Sequence, residues 1–352
     1  MTLKTGCHRL MHTLKHQSSM LGVRSRGHLL VRRLCDLESK TSSPSSPSSW
    51  FSTGAALNMR LVQFSDLRGG PVRLGVQPQQ DGEITEISSQ GGNGKIPNDL
   101  VQLIQGGPAL WAEAEKAASQ STSKAQAKDV KLLAPLINPG KVICVGLNYR
   151  CHCNEQHIEP PHEPMFFSKF ASCIVGPTDN VVLPTVSTKV DWEVEMVVVI
   201  GKPCRNLKPE NTMENVFGYT VAQDISARDW QKGRNGGQWL LGKSMDTFCP
   251  LGPAVVTADE LPKGPHVLPL SCAINGVKKQ NSNTDQLVHR VDYIISHLSH
   301  LLTLLPGDII LTGTPAGVGV FRNPREFLKP GDVIESEIVG IGKMRNPVVA
   351  PQ

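Results

Sequence analysis

The sequence predicts an α+β protein, mostly β, whose larger part folds as a curved, barrel-like mixed sheet. Three observations predict it. Short apolar runs punctuated by Gly and Pro recur through the C-terminal two-thirds, and clear helical spacing there is confined to 284–305. No repeat of fixed period organises the chain. The 352 residues suffice for a sizeable core. No apolar run approaches the roughly 18 residues a membrane span needs, so no membrane partner is expected.

The elements follow in chain order. Residues 1–58 carry eight Lys/Arg against Asp36 and Glu38, more than the whole chain's net charge of +5, so the remainder is close to neutral. Basic, Ser-rich and poor in acids, this leader reads as a mitochondrial transit peptide or disordered leader, and it places the mature protein in the matrix. Because the basicity belongs to the leader and no Lys/Arg stripe interleaved with aromatics follows, no nucleic-acid partner is expected. Residues 59–138 predict a small N-terminal α+β domain. Strands are expected at 59–64, 72–76 and 84–87, helices at 99–105 (Asp99 as N-cap) and 110–118, and a polar linker at 119–128. Residues 139–352 predict a second, mostly β domain, with strands at 141–146, 181–183, 190–200, 218–222, 254–257, 270–274, 308–312 and 332–339. The nine cysteines show no framework spacing and read as free thiols of a reduced compartment.

Chemistry concentrates in a few segments. In Asp191-Trp192-Glu193-Val194-Glu195, strand alternation projects Glu193 and Glu195 to one side, about 7 Å apart along the strand. Neighbouring carboxylates raise each other's pKa unless a cation lies between them; a solvated strand face is the alternative. A second strand ends near Gln223, and Asp224 opens a turn into a short helix bearing Arg228 and Gln231, with Asp224 as its N-cap the plain structural reading. Three carboxylates without His or Cys suit Mg²⁺, with Ca²⁺ or Mn²⁺ as alternatives, rather than zinc.

His152 and Glu155 stand at i and i+3, neighbours on one face if their segment is helical, an arrangement suited to general-base work. Cys151 and Cys153 beside them lack the second ligand pair a zinc site needs. Residues 237–244 satisfy the Walker A spacing, but Trp239, Leu240 and Leu241 are too bulky for a phosphate cradle, and Lys243 reads as a charge for the substrate. The Gly-rich run 312–319 offers backbone N–H groups for a carboxylate, or is a tight turn.

Together VGLNYRCHCNE (145–155), EPMFFSKFASCIVGP (163–177), DWEVEMVVVIG (191–201), GYTVAQDISARDWQ (218–231), LLGKSMDTFCPLGP (240–253) and PGDIILTGTPAGVG (306–319) resemble the fumarylacetoacetate hydrolase family over about 140–345. MRLVQF at 59–64 is similar to a mitochondrial branch of it. The resemblance implies a β-rich catalytic fold, a homodimer, and a divalent cation on Glu193, Glu195 and Asp224. It implies His152 and Glu155 as catalytic pair on a lid, and Arg228, Gln231, Lys243, Thr247 and Thr314 around a small 2-oxo acid. The family pattern has Asp where this chain has Cys151. The implied activities are oxaloacetate keto–enol tautomerisation first, then acylpyruvate or fumarylacetoacetate-type C–C hydrolysis or oxaloacetate decarboxylation. A catalytically weak metal-binding protein is the reading from another class.

Overall fold

The computed structural model describes residues 57–88 and 95–351; the leader, but for its last two residues, lies outside them. A twelve-stranded mixed sheet dominates. From one edge its path runs through Lys124–Gln126, Glu83–Glu86, Arg73–Val76, Arg60–Asp66, Cys249–Thr257, Val216–Gln223, Val194–Ile200, Ile309–Leu311, Val142–Gly146 and Met165–Ser168. The sheet is mixed and does not close on itself, and the mostly β, α+β class expected from the sequence holds. A second sheet of five strands packs beside it, built on Pro269–Ile274, Val333–Ile338 and Gly342–Val349.

The apolar run near 196–200 explains the centre. Val194–Ile200 is flanked antiparallel by Val216–Gln223 and Ile309–Leu311, and every residue along it is buried. A strand covered on both faces needs apolar side chains at every position, not alternate ones. Each buried Val there contributes about 1.5–3 kcal/mol of transfer free energy.

Most expected elements appear within two residues of their ends, but the strand expected over 254–257 begins at Cys249, the helix expected over 110–118 begins at Gly107, and three segments differ in kind. The helix expected over 284–305 is only Val291–Leu301, because Val288 and His289 donate their backbone N–H groups to Asn148, which holds that stretch extended. The linker at 119–128 instead supplies the edge strand Lys124–Gln126, paired with Glu83–Glu86. The strand expected over 190–200 is two, Val190–Asp191 and Val194–Ile200, interrupted at Trp192-Glu193. That break lies at the site. Strand Arg60–Asp66 pairs with Cys249–Thr257, so the N-terminal strands extend the central sheet. Among the described residues no helix is long and apolar enough to cross a membrane.

Candidate active site

The register of two central strands builds the acidic cluster. Val194 pairs with Gln223 and Glu195 with Ala222, and one step beyond, the Asp224 N–H donates to the Glu193 carbonyl at 2.9 Å. Glu193 and Asp224 therefore stand across from each other, where like charges are destabilising unless something offsets them. Glu195 follows two residues along. Ligand oxygens of Glu193, Glu195 and Asp224 all lie within 4.8 Å of one another, and all three side chains are buried. At the interruption, Gln223 replaces the lost ladder bond, its Oε1 accepting from the Glu193 N–H, while Gln280 Oε1 accepts from the Val194 N–H.

Cations neutralise most of this charge. Lys243 Nζ lies 2.7 Å from both Glu193 Oε2 and Asp224 Oδ2, Lys169 Nζ lies 2.8 Å from Asp224 Oδ1, and Arg228 reaches Glu193 Oε1 at 2.7 Å and Asp191 Oδ2 at 2.8 Å. Burial pushes the Glu193 carboxyl up, but Arg228 and Lys243 outweigh it and hold the group below its ordinary range. Among the described residues Glu195 forms no ion pair. Its Oε2 accepts the Gly313 N–H at 2.7 Å, and burial, then Asp224, then Glu193 outweigh the charge of Lys243 and push its pKa well above the carboxylate range. Four buried carboxylates (Asp191 included) thus face three cations, and the uncompensated one is a hard oxygen donor in a shared cluster. This donor set fits a hard divalent cation.

The candidate base pair, His152 and Glu155, sits on the short helix Arg150–Glu155. Glu155 Oε2 lies 2.8 Å from His152 Nδ1, and Glu155 Oε1 accepts the Gly317 N–H at 2.8 Å. Nδ1–H donated to the carboxylate leaves Nε2 as the acceptor, and there the Gln156 amide lies at 3.0 Å. The Gly-rich run 312–319 does bind carboxylates through its N–H groups, but they are the protein's own: Glu195 on Gly313, Glu155 on Gly317 and Asp191 on Gly319. Gly317 has φ +104° and a Cβ there would meet the Lys279 carbonyl at 2.1 Å, so that seat requires glycine.

A cavity of about 190 Å³ joins these parts, lined among others by His152, Gln156, Glu193, Glu195, Arg228 and Lys243. Of the expected contact residues, Gln231 and Thr314 also line it. Gln231 Oε1 accepts from Arg228 Nη1, and Thr314 Oγ1 donates to the Val194 carbonyl and accepts from Gln280. Arg228 Nη2 is buried without a hydrogen-bond partner. Thr247 is not brought to this cavity. It adopts φ 66°, and its hydroxyl accepts the Val182 N–H at 2.9 Å, a local structural bond.

Other expectations resolve plainly. Asp224 is no helix N-cap, since the helix it precedes is Arg228–Gly233 and its carboxylate is bound by lysines. The Walker-like stretch ends in the four-residue helix Leu240–Lys243, and Lys243 points at carboxylates. Cys151 Sγ accepts the Ala316 N–H at 3.5 Å and lies 3.7 Å from Ser282 Oγ. The described cysteines are free. Sequence reasoning missed Lys169, an isolated lysine with no patterned neighbours, and Gln156. It also left Asp191 unassigned, although strand alternation places it in series with Glu193 and Glu195.

A family model for the fumarylacetoacetate (FAA) hydrolase C-terminal domain matches residues 141–349. The chain is 47% identical over 298 residues to the mitochondrial oxaloacetate tautomerase fahd2 of Xenopus laevis, covering 85% of this chain and 92% of that protein. Among solved structures, fumarylacetoacetate hydrolase from psychrophilic Exiguobacterium antarcticum matches with a TM-score of 0.71 and 35% identity, over 83% of this chain and 99% of that one. The maleylpyruvate hydrolase of a Sphingobium species, solved with a manganese(II) ion and pyruvate, matches with a TM-score of 0.68 and 32% identity, over 84% of this chain and 100% of that one.

Proposed function

The chain belongs to the fumarylacetoacetate hydrolase family, and from that premise we propose that it is a Mg²⁺-dependent oxaloacetate keto–enol tautomerase of the mitochondrial matrix, working as a homodimer. The observation that carries the reading is one cavity with two chemistries on its wall: Glu193 and Glu195, whose oxygens cluster within 4.8 Å of each other and of Asp224 behind them, and a histidine oriented by a carboxylate at 2.8 Å. Relatives named as mitochondrial oxaloacetate tautomerases support the substrate and the compartment. The basic leader at 1–58 supports the compartment independently.

Glu193, Glu195 and Asp224 would hold the cation, which supplies Lewis-acid charge against the carboxylate and 2-oxo oxygens of the substrate. The remaining work falls to side chains. His152 Nε2, once parted from Gln156, takes the proton from C3. The C–H pair becomes the C2–C3 double bond, and the 2-oxo oxygen gains the negative charge and then the proton that the His152 imidazolium gives back, directly or through water, which restores the neutral base. Glu155 stabilises the imidazolium through Nδ1–H. Arg228, whose Nη2 is unpartnered among the described residues, and Lys243 line the same cavity, and fixed cations there would lower the barrier to a step that develops negative charge. The reverse direction uses the same groups in the opposite order.

The test is decay of the enol's ultraviolet absorbance with purified protein. Acceleration that needs Mg²⁺ and vanishes with chelator is expected; decay at the buffer rate with metal supplied would remove the reading. C–C hydrolysis of acylpyruvates is the second reading, favoured by the likeness to a maleylpyruvate hydrolase. Pyruvate release from acetylpyruvate is its measurement.

A further inference from the structure

Three basic side chains line the cavity, and they differ in one respect. Arg228 is paired with Asp191 and Glu193, and Lys243 with Glu193 and Asp224. Lys232 forms no ion pair among the described residues. It is exposed at the cavity mouth, one residue after Gln231, with its ammonium 4.9 Å from the centre of the Phe321 ring. The same Phe321 ring packs edge-on against His152 at 5.9 Å. On the wall Phe321 therefore stands between His152 and Lys232, and Glu193 and Glu195 of the acidic cluster line the same cavity.

That arrangement matches the atoms of a short dicarboxylic oxo-acid. Carboxylate C1 and oxo carbon C2 belong at the acidic cluster with its cation, and C3 belongs at His152. The next atom is the second carboxylate, which arrives where Lys232 stands outside any ion pair among the described residues. We propose that Lys232 is the specificity residue that selects a four-carbon dicarboxylic 2-oxo acid over a monocarboxylic one by binding its distal carboxylate. The inference rests on the tautomerase reading for its substrate class. A volume of about 190 Å³ is below the range of drug-sized pockets, which agrees with so small a ligand. Although the side chain reaches solvent, desolvation by its cavity neighbours and then the like charge of Arg228 hold the Lys232 ammonium below its ordinary range against the opposing pull of Glu193, so an incoming anion relieves a cost already present.

The test is binding, read from quenching of tryptophan fluorescence (Trp239 lines the cavity) in Mg²⁺-loaded protein titrated with oxaloacetate and with pyruvate. The full chain is used as wild type, Lys232→Met and Lys232→Arg. The expected result is that wild type binds oxaloacetate more tightly, Lys232→Met loses about ten-fold or more for oxaloacetate, as for a lost charged hydrogen bond, and less than two-fold for pyruvate. Lys232→Arg restores most of the difference. The proposal is overturned if Lys232→Met weakens both ligands alike, if it weakens neither, or if wild type does not prefer oxaloacetate. Turnover of the enol is measured on the same samples. A selective loss of binding without wild-type turnover supports the distal-carboxylate site while removing the tautomerase reading.

Discussion

Glu155 grips two partners at once: His152 Nδ1 at 2.8 Å through one oxygen and the Gly317 N–H at 2.8 Å through the other. The carboxylate is thus fixed by backbone before it fixes the imidazole, and the imidazole's outward nitrogen is committed to accepting protons.

Replacing Glu155 by Gln tests this geometry without changing its shape. The amide oxygen can still accept from Gly317, but the NH₂ group then faces Nδ1 and forces the proton onto Nε2, the wrong tautomer for a base. A fall in kcat of about 100-fold is expected, with KM little changed. An equal rise in KM would instead mean that Glu155 shapes the cavity.

Lys169 is fully buried and spends its ammonium on Asp224, the Ile225 carbonyl and the Lys243 carbonyl. Lys169→Met leaves one Asp224 oxygen without its cation inside the core. Destabilisation of about 3 kcal/mol in urea unfolding is expected, the scale of breaking a buried pair. A loss under about 1 kcal/mol would show that Lys243 alone satisfies the carboxylate.

Cys151 lies on the helix Arg150–Glu155, and its sulfur is a weak acceptor for the Ala316 N–H. A carboxylate there would accept from Ala316 and from the nearby Ser282 hydroxyl. Cys151→Asp is expected to stabilise by about 1 kcal/mol, raising Tm by about 2 °C. An unchanged or lower Tm would show that repulsion from Glu155 one turn away cancels the gain.

His266 lies where the helix Val291–Leu301 begins, with the Val291 N–H donating to its Nε2 at 3.2 Å. Burial, then the charge of Arg290, lowers its pKa to about 4. The folded state therefore disfavours the protonated form. Its contribution is complete above the ordinary histidine pKa of about 6.5 and is lost as pH falls from there towards 4, by about 2 kcal/mol. Urea midpoints of wild type and His266→Gln across that window should converge as pH falls; parallel curves would contradict the assignment.

Much of this was legible because strand chemistry is local. Glu193 and Glu195 share a face through alternation, and the apolar run after them announces a central strand. What the sequence could not carry was long-range pairing. Lys169 meets Asp224 across 55 positions, and the N–H groups of 313–319 are claimed by Glu195, Glu155 and Asp191 rather than left for a ligand. The helix over 284–305 was overread for the same reason, since the distant Asn148 captures the donors of Val288 and His289. Thr247 is a residue the pattern includes and the geometry leaves aside, held in a turn by Val182.

The central claim is that Glu193, Glu195 and Asp224 share one hard cation, and Mn²⁺ binding followed by electron paramagnetic resonance tests it most directly. One ion per chain is expected in the wild type, displaceable by excess Mg²⁺. Glu195→Gln, which removes the carboxylate without a cationic partner, is expected to weaken binding by about 100-fold. Equal Mn²⁺ affinity in wild type and Glu195→Gln, or no stoichiometric binding in the wild type, would contradict it.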